Sequence, residues 1–262
     1  MMEKLTPAER LIVALDVDTI EKASSLARDL VSVGVTHFKI GLGLFTLVGP
    51  SAVEEVHRLG GKVFLDLKFH DIPNTVAQAV ASAVRLSIWM TNLHIQGGSV
   101  MMRQAVASAR EEAARRAKRL PLLVGVTVLT SMSERDLIDL GIRKTPKDQV
   151  LYLTKLAKSS GLDGLVASAQ EAKVIRFACG DGFLLVTPGI RPVESEDPFQ
   201  SALKEAPLAQ AKSDDQQRTA TPAQAIQAGA DYLVVGRPIL EAKDPVKMAQ
   251  EIIQMITRAS HA

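Results

Sequence analysis

The sequence predicts an α/β fold of one kind, a (β/α)8 TIM barrel that forms a single domain over residues 1–262. Three observations predict it. Short β-branched runs alternate with amphipathic helical segments eight times, at an average of roughly 33 residues per unit. Polar residues gather at or just past the C-terminal ends of the expected strands, where such barrels build their active sites. They are Asp16, Lys39, Asp66, Lys68, Arg191 and the pair Gly236–Arg237. The composition, 47% hydrophobic and 23% charged over 262 residues, is that of one large globular core.

Taken in order, residues 11–17 are an apolar run carrying Asp16, the expected first strand. Ala23, Leu26, Ala27, Leu30 and Val31 share one face of the helix that follows, and Gly34 ends it. Residues 38–40 are a short second strand with Lys39 near its end. Val53, Val56 and Leu59 lie on the next helix, which stops at Gly60–Gly61. Residues 90–94 read as strand four, with a helix over 99–118 behind it. Residues 122–129 read as strand five, followed by Thr130 and a long connection to a helix over 149–160. Residues 164–167 and 183–187 are strands six and seven, separated by a helix over 169–177. Thr221–Pro222 is a cap followed by a first-turn proline. Residues 232–235 are strand eight, and Asp244–Pro245 opens the last helix, with Val246, Ala249, Ile252, Ile253 and Ile256 inward.

Strand three, residues 62–69, organises the rest. Val63, Leu65 and Leu67 fall on one parity; Phe64, Asp66 and Lys68 fall on the other. Side chains alternate faces along a strand, so a carboxylate and an ammonium stand side by side. Asp71 follows three residues later. Pro73 stops the strand, and Asn74 or Thr75 is available to cap the next helix. Charges packed this closely perturb one another, a mark of functional sites.

The run Asp66 to Thr75, D-L-K-F-H-D-I-P-N-T, closely resembles the signature of the orotidine 5′-phosphate decarboxylase family. The resemblance extends over nearly the whole chain, through L-D-V at Asp16, F-K-I-G at Lys39, V-T-V-L-T-S at Thr130, the segment 183–191 and the segment 232–238. It implies that Lys68 is the proton donor, that Asp66, Asp71 and Lys39 complete a row of alternating charge, and that no cofactor is used. It implies further that Asp16 and Lys39 hold ribose hydroxyls and that Thr130 contacts the pyrimidine. Ile72 falls among the substrate-binding residues. Asp71 and Thr75 are implied to reach the neighbouring subunit's site, which makes a homodimer with shared active sites the expected assembly. The D-x-K-x-x-D core alone also occurs in related sugar-phosphate decarboxylases and does not decide the substrate.

The phosphate of orotidine 5′-phosphate is expected at the loops after strands seven and eight. Glycine at 236 lets a backbone N–H approach an anion, a following short helix would aim its N-terminus there, and Arg237 can fork onto phosphate oxygens. Arg191 and Gln216 match the family's phosphate-side positions. The polar stretch between Pro192 and Gln216 is long enough to read as a lid or as disordered; the resemblance implies a loop that closes over the phosphate, and extra residues over 194–212 depart from the family pattern.

The remaining features are exclusions. Net charge is +2, from 31 basic and 29 acidic residues, which gives no electrostatic case for nucleic acid. No apolar run approaches the ~18 residues of a membrane helix. The N-terminal residues show no signal-peptide core, and Cys179 is the single cysteine, so a reducing cytoplasm is expected. Arg115, Arg116, Lys118 and Arg119 follow Glu111 and Glu112 on one helix and read as a solvated face. His70 and His94 read as supporting rather than acid–base groups, and no metal ligand set is expected. Two rivals stay open: a metal-dependent sugar-phosphate decarboxylase or aldolase on the same barrel, and a non-catalytic nucleotide-binding barrel.

Overall fold

The computed structural model describes residues 5–192 and 218–260. Gln216 and the extra stretch 194–212 lie outside them. The strands are β1 (Leu11–Ala14), β2 (His37–Gly41), β3 (Lys62–Phe69), β4 (Met90–His94), β5 (Leu122–Val126), β6 (Gly164–Val166), β7 (Leu184–Thr187) and β8 (Tyr232–Val235). All neighbours pair in parallel and β8 closes on β1, giving an eight-stranded closed barrel. The helices described are α1 (Ile20–Val31), α2 (Leu42–Val48), α3 (Ser51–Arg58), α4 (Pro73–Arg85), α5 (Gly98–Arg116), α6 (Glu134–Asp139), α7 (Pro146–Ser159), α8 (Ala169–Cys179), α9 (Pro222–Gln227), α10 (Arg237–Leu240) and α11 (Pro245–Ser260).

Strand alternation separates two cores. Ile12, Ala14, Phe64, Met90, Val124, Leu184, Val186, Tyr232 and Val234 point inward and fill the barrel. Their neighbours in sequence, among them Leu11, Val13, Val63, Leu65 and Leu233, point outward against the helices. The lumen is therefore plugged by side chains below and left for polar groups at the top, as a packed barrel requires.

Local chemistry sets the helix starts. Thr19, Thr145 and Ser168 cap α1, α7 and α8 through their hydroxyls. Thr221 and Gln224 form a capping box on α9, with Pro222 at its first turn. Asp244 Oδ1 accepts from Lys247 N at 3.0 Å at the start of α11. The helix after β3 departs from expectation. Pro73 takes the first helical position, so the cap falls on Ile72, which has no acceptor, and neither Asn74 nor Thr75 caps. Two short helices, α2 and α6, occupy stretches that read as connections. Strand one ends at Ala14 and strand five at Val126, before the apolar runs do.

The charged face of α5 is only partly solvated. Glu112 is buried, and Arg85 and Arg116 reach it at 2.7 and 3.1 Å, with Arg115 on its other oxygen. Hydrogen bonds from Arg115 and Arg85 hold its carboxyl down at about 2. The arginines thus tie α4 to α5 instead of merely facing water. Cys179 is buried in the outer core, as its type suggested.

At the bottom of the barrel, His37 is buried against Trp89, with ring centroids 4.2 Å apart, and near Tyr232. Burial, aided by Lys62, pushes the His37 imidazole down to about 4. An unfolded chain takes up this proton near the ordinary value of 6.5. The unfolded state therefore binds more protons between pH 6.5 and about 4, and stability falls as pH drops through that window. The contribution at stake is on the order of 3 kcal/mol. His37→Gln is expected to flatten the acid side of the melting-temperature profile. Identical losses in variant and parent between pH 7 and pH 4.5 would remove His37 from the cause.

Candidate active site

Above the hydrophobic plug, the inward parity of β1, β2 and β3 turns polar. Asp16 follows Ala14 two positions on, Lys39 follows His37, and Asp66 follows Phe64. Lys39 Nζ lies 2.9 Å from Asp16 Oδ1 and 3.4 Å from Asp66 Oδ2; Lys68 Nζ lies 2.7 Å from Asp66 Oδ1. The side chains of Lys39 and Asp66 are 11% and 10% exposed, those of Lys68 and Asp16 30% and 53%, so the row is buried at its centre and wetter at both ends. Burial pushes the Asp66 carboxyl up, but Lys39, Lys68 and hydrogen bonds from Lys68 and Asn92 outweigh it and hold it below the carboxylate range. Burial lowers the Lys39 ammonium, yet Asp66 and Asp16 raise it past its ordinary value. Asp66 is ionised and Lys39 charged at neutral pH. Removing Lys39 or Asp66, the two buried members, would strand the other, a loss of about 3–5 kcal/mol for a fully buried pair.

The floor under the row is Gly41. A Cβ there would stand 2.8 Å from both Asp16 Oδ1 and Lys39 Nζ, so any side chain would push the pair apart.

Lys68 is not a regular strand residue. Its φ is +50°, and the β3–β4 register shifts between Leu65 and Phe69. The ladder bond lost there is replaced by a side chain. Lys68 N donates to Asn92 Oδ1 at 2.8 Å, while Asn92 Nδ2 donates to Asp66 Oδ1 at 2.6 Å. Asn92 is buried and fixes both the lysine backbone and the carboxylate that aims its ammonium. Sequence reasoning missed it. The available signal was parity: Asn92 shares the inward face of β4 with Met90.

These residues open into a cavity of about 490 Å³. Asp16, Lys39, Asp66, Lys68, Asn92, Thr130, Ser131, Arg191, Gly236 and Arg237 all line it, and Gly236 lies close to Asp16. Of the site residues expected from sequence, the fold brings Asp16, Lys39, Asp66, Lys68, Thr130, Arg191, Gly236 and Arg237 onto one cavity. It does not bring Asp71, Ile72 and Thr75 there. They are exposed on the β3–α4 turn and the start of α4, Ile72 at 67%, and Asp71 Oδ1 accepts from Ile72 N at 2.7 Å. Gln216 lies outside the described residues. His94 stands beside His70, ring centroids 5.3 Å apart, and burial with the nearby His70 and Lys68 charges lowers it. Neither histidine lines the cavity. Among the described residues no cluster of three or more His, Cys, Asp or Glu could hold a metal ion, and no helix is long and apolar enough to cross a membrane.

Fold and site define a (β/α)8-barrel protein with a lysine–carboxylate row at the C-terminal ends of β1–β3. The family model described as "Orotidine 5′-phosphate decarboxylase / HUMPS family" matches residues 9–252, and the chain belongs to that family. The orotidine 5′-phosphate decarboxylase of Pseudoalteromonas translucida is 46% identical over 249 residues, covering 95% of this chain and 97% of that protein. That of Vibrio cholerae is 47% identical over 243 residues, covering 93% and 96%. The crystal structure of the Lactobacillus acidophilus orotidine 5′-phosphate decarboxylase superposes with a TM-score of 0.78 at 34% identity, covering 95% of this chain and 99% of that one.

Proposed function

We propose that this chain decarboxylates orotidine 5′-phosphate to UMP and carbon dioxide, the last step of de novo UMP synthesis, in the cytoplasm and without a cofactor. The observation that carries this is the Lys39–Asp66–Lys68 row lining the cavity, in a chain whose relatives of this name align over its length. Cleavage of the C6–carboxylate bond leaves an electron pair on C6 in the ring plane, out of reach of the π system. A fixed cation beside C6 stabilises that pair, and an ammonium can then quench it. Lys68 is that cation: its Nζ gives a proton to C6 as carbon dioxide departs, and solvent returns the proton to the amine.

Asp66 keeps Lys68 aimed, and Asn92 keeps Asp66 and the Lys68 backbone in register. Asp16 and Lys39 hold the ribose hydroxyls, and Thr130 meets the base. Arg191, Gly236 and Arg237, joined by Gln216, take the phosphate. Interactions there, remote from C6, supply binding energy that is used at the reacting carbon. Asp71, Ile72 and Thr75 complete the site of a second copy, so the active assembly is a homodimer. Their exposure in the single chain supports this.

Metal-dependent chemistry on the same barrel is disfavoured by Lys39. Its ammonium fills the space between the Asp16 and Asp66 carboxylates and would repel a divalent ion placed there. Mixing the protein with orotidine 5′-phosphate is expected to bleach the orotate ultraviolet absorbance at the same rate with and without EDTA. A rate lost to EDTA would favour the sugar-phosphate decarboxylase or aldolase reading. An unchanging absorbance would favour a nucleotide-binding barrel without catalysis.

A further inference from the structure

Arg218 is buried, its side chain 10% exposed, in the segment leading into α9. Its Nη1 donates to Glu171 Oε1 at 2.5 Å, in the first turn of α8. Its Nη2 donates to two consecutive carbonyls, Val128 at 3.1 Å and Leu129 at 2.9 Å. One planar guanidinium therefore ties together the approach to α9, the start of α8 and the loop after β5. As a stabilising device the pair is poor. Among the described residues Glu171 Oε2 and Arg218 Nε are buried with no hydrogen-bond partner, and buried ion pairs barely recover their desolvation cost even when fully satisfied. What the pair does well is fix two peptide planes. The Leu129 carbonyl belongs to the peptide unit that carries the Thr130 nitrogen, and Val128 to Ser131 line the same cavity as the charged row.

We infer that Arg218, oriented by Glu171, is a positioning residue for the base end of the site, acting through the peptide units that lead into Thr130. The inference rests on the decarboxylase reading for the identity of the base. Arg218 itself does not line the cavity. Its work is to stop the β5 loop from rotating its carbonyls toward water and carrying Thr130 away from the pyrimidine. Misplacement by ~1 Å is worth on the order of 100-fold in rate.

The test separates the two ends of the nucleotide. UMP presents base, ribose and phosphate; ribose 5-phosphate lacks the base. The double variant Arg218→Met/Glu171→Leu removes both charges, an exchange that buried pairs commonly tolerate without loss of fold. In calorimetry its affinity for UMP is expected to fall about tenfold or more, while that for ribose 5-phosphate stays within about twofold. Adding Thr130→Ala to it should change UMP affinity little, because the two act as a unit. Equal losses for both ligands, or an unchanged UMP affinity, would overturn the inference. Should the double variant fail to fold, Arg218→Lys keeps the charge without the fork, and the same split is read from it. Failure of the decarboxylase reading would show separately, as a wild type that binds UMP yet never consumes orotidine 5′-phosphate.

Discussion

Lys68→Ala is expected to abolish decarboxylation and leave the barrel folded. Two effects are lost together. A preorganised charge at the developing anion is worth on the order of 10²–10³ in rate. A positioned general acid contributes on the order of 10²–10⁴. Their combined removal should cost roughly 10⁵-fold or more in kcat. The fold has little at risk. The Lys68 side chain is 30% exposed, and Asp66 retains Lys39 at 3.4 Å and the Asn92 amide at 2.6 Å. A partly exposed ion pair contributes about 1 kcal/mol or less. The variant should show a melting temperature close to the parent's and still bind UMP, with the loss confined to turnover followed by orotate absorbance. Turnover near the wild-type rate would end the assignment of Lys68.

The second large effect concerns Asp71, which shares the signature run with Lys68 but is exposed and does not line its own cavity. If Asp71 serves a second copy, Lys68→Ala and Asp71→Asn are each inactive as pure homodimers, yet complementary when mixed. In a mixed dimer one site combines both lesions. The other combines an intact Lys68 from one subunit with an intact Asp71 from its partner. Random reassortment makes half the dimers mixed, so unfolding and refolding the two variants together should restore about a quarter of wild-type activity. Were Asp71 to act within its own chain, every site would keep one lesion and nothing would return. Recovery from zero is a larger signal than any partial loss, and it does not depend on how much each variant is weakened.

The periodic parts of this molecule were readable in the chain. Strand parity put Asp66 beside Lys68, and the recurrence of strand and helix placed Asp16, Lys39, Arg191 and Arg237 at one end of a barrel. What escaped was set by contacts between strands. The register shift of β3 against β4 leaves no mark within β3 itself, because the residue that stabilises it, Asn92, is on another strand. The cap at Ile72 follows from Pro73 claiming the first helical position, which displaced the polar candidates beyond it. Glu112 looked like one charge among many until α4 brought Arg85 across to it. Helices α2 and α6 are short enough that their apolar periodicity is hard to tell from a loop's. The Arg218–Glu171 link joins residues 47 positions apart, with no pattern in either segment to announce it.

A lysine held at φ +50° costs roughly 1–2 kcal/mol, a penalty that glycine would not incur. Selection for sturdiness alone would favour glycine at position 68. That substitution should give a more heat-resistant and wholly inert protein, so screening for thermal tolerance without a catalytic readout would lead engineers away from the enzyme. The same tension makes position 68 a sensitive marker: a lysine kept in so unwelcome a conformation accords with the catalytic role proposed for it.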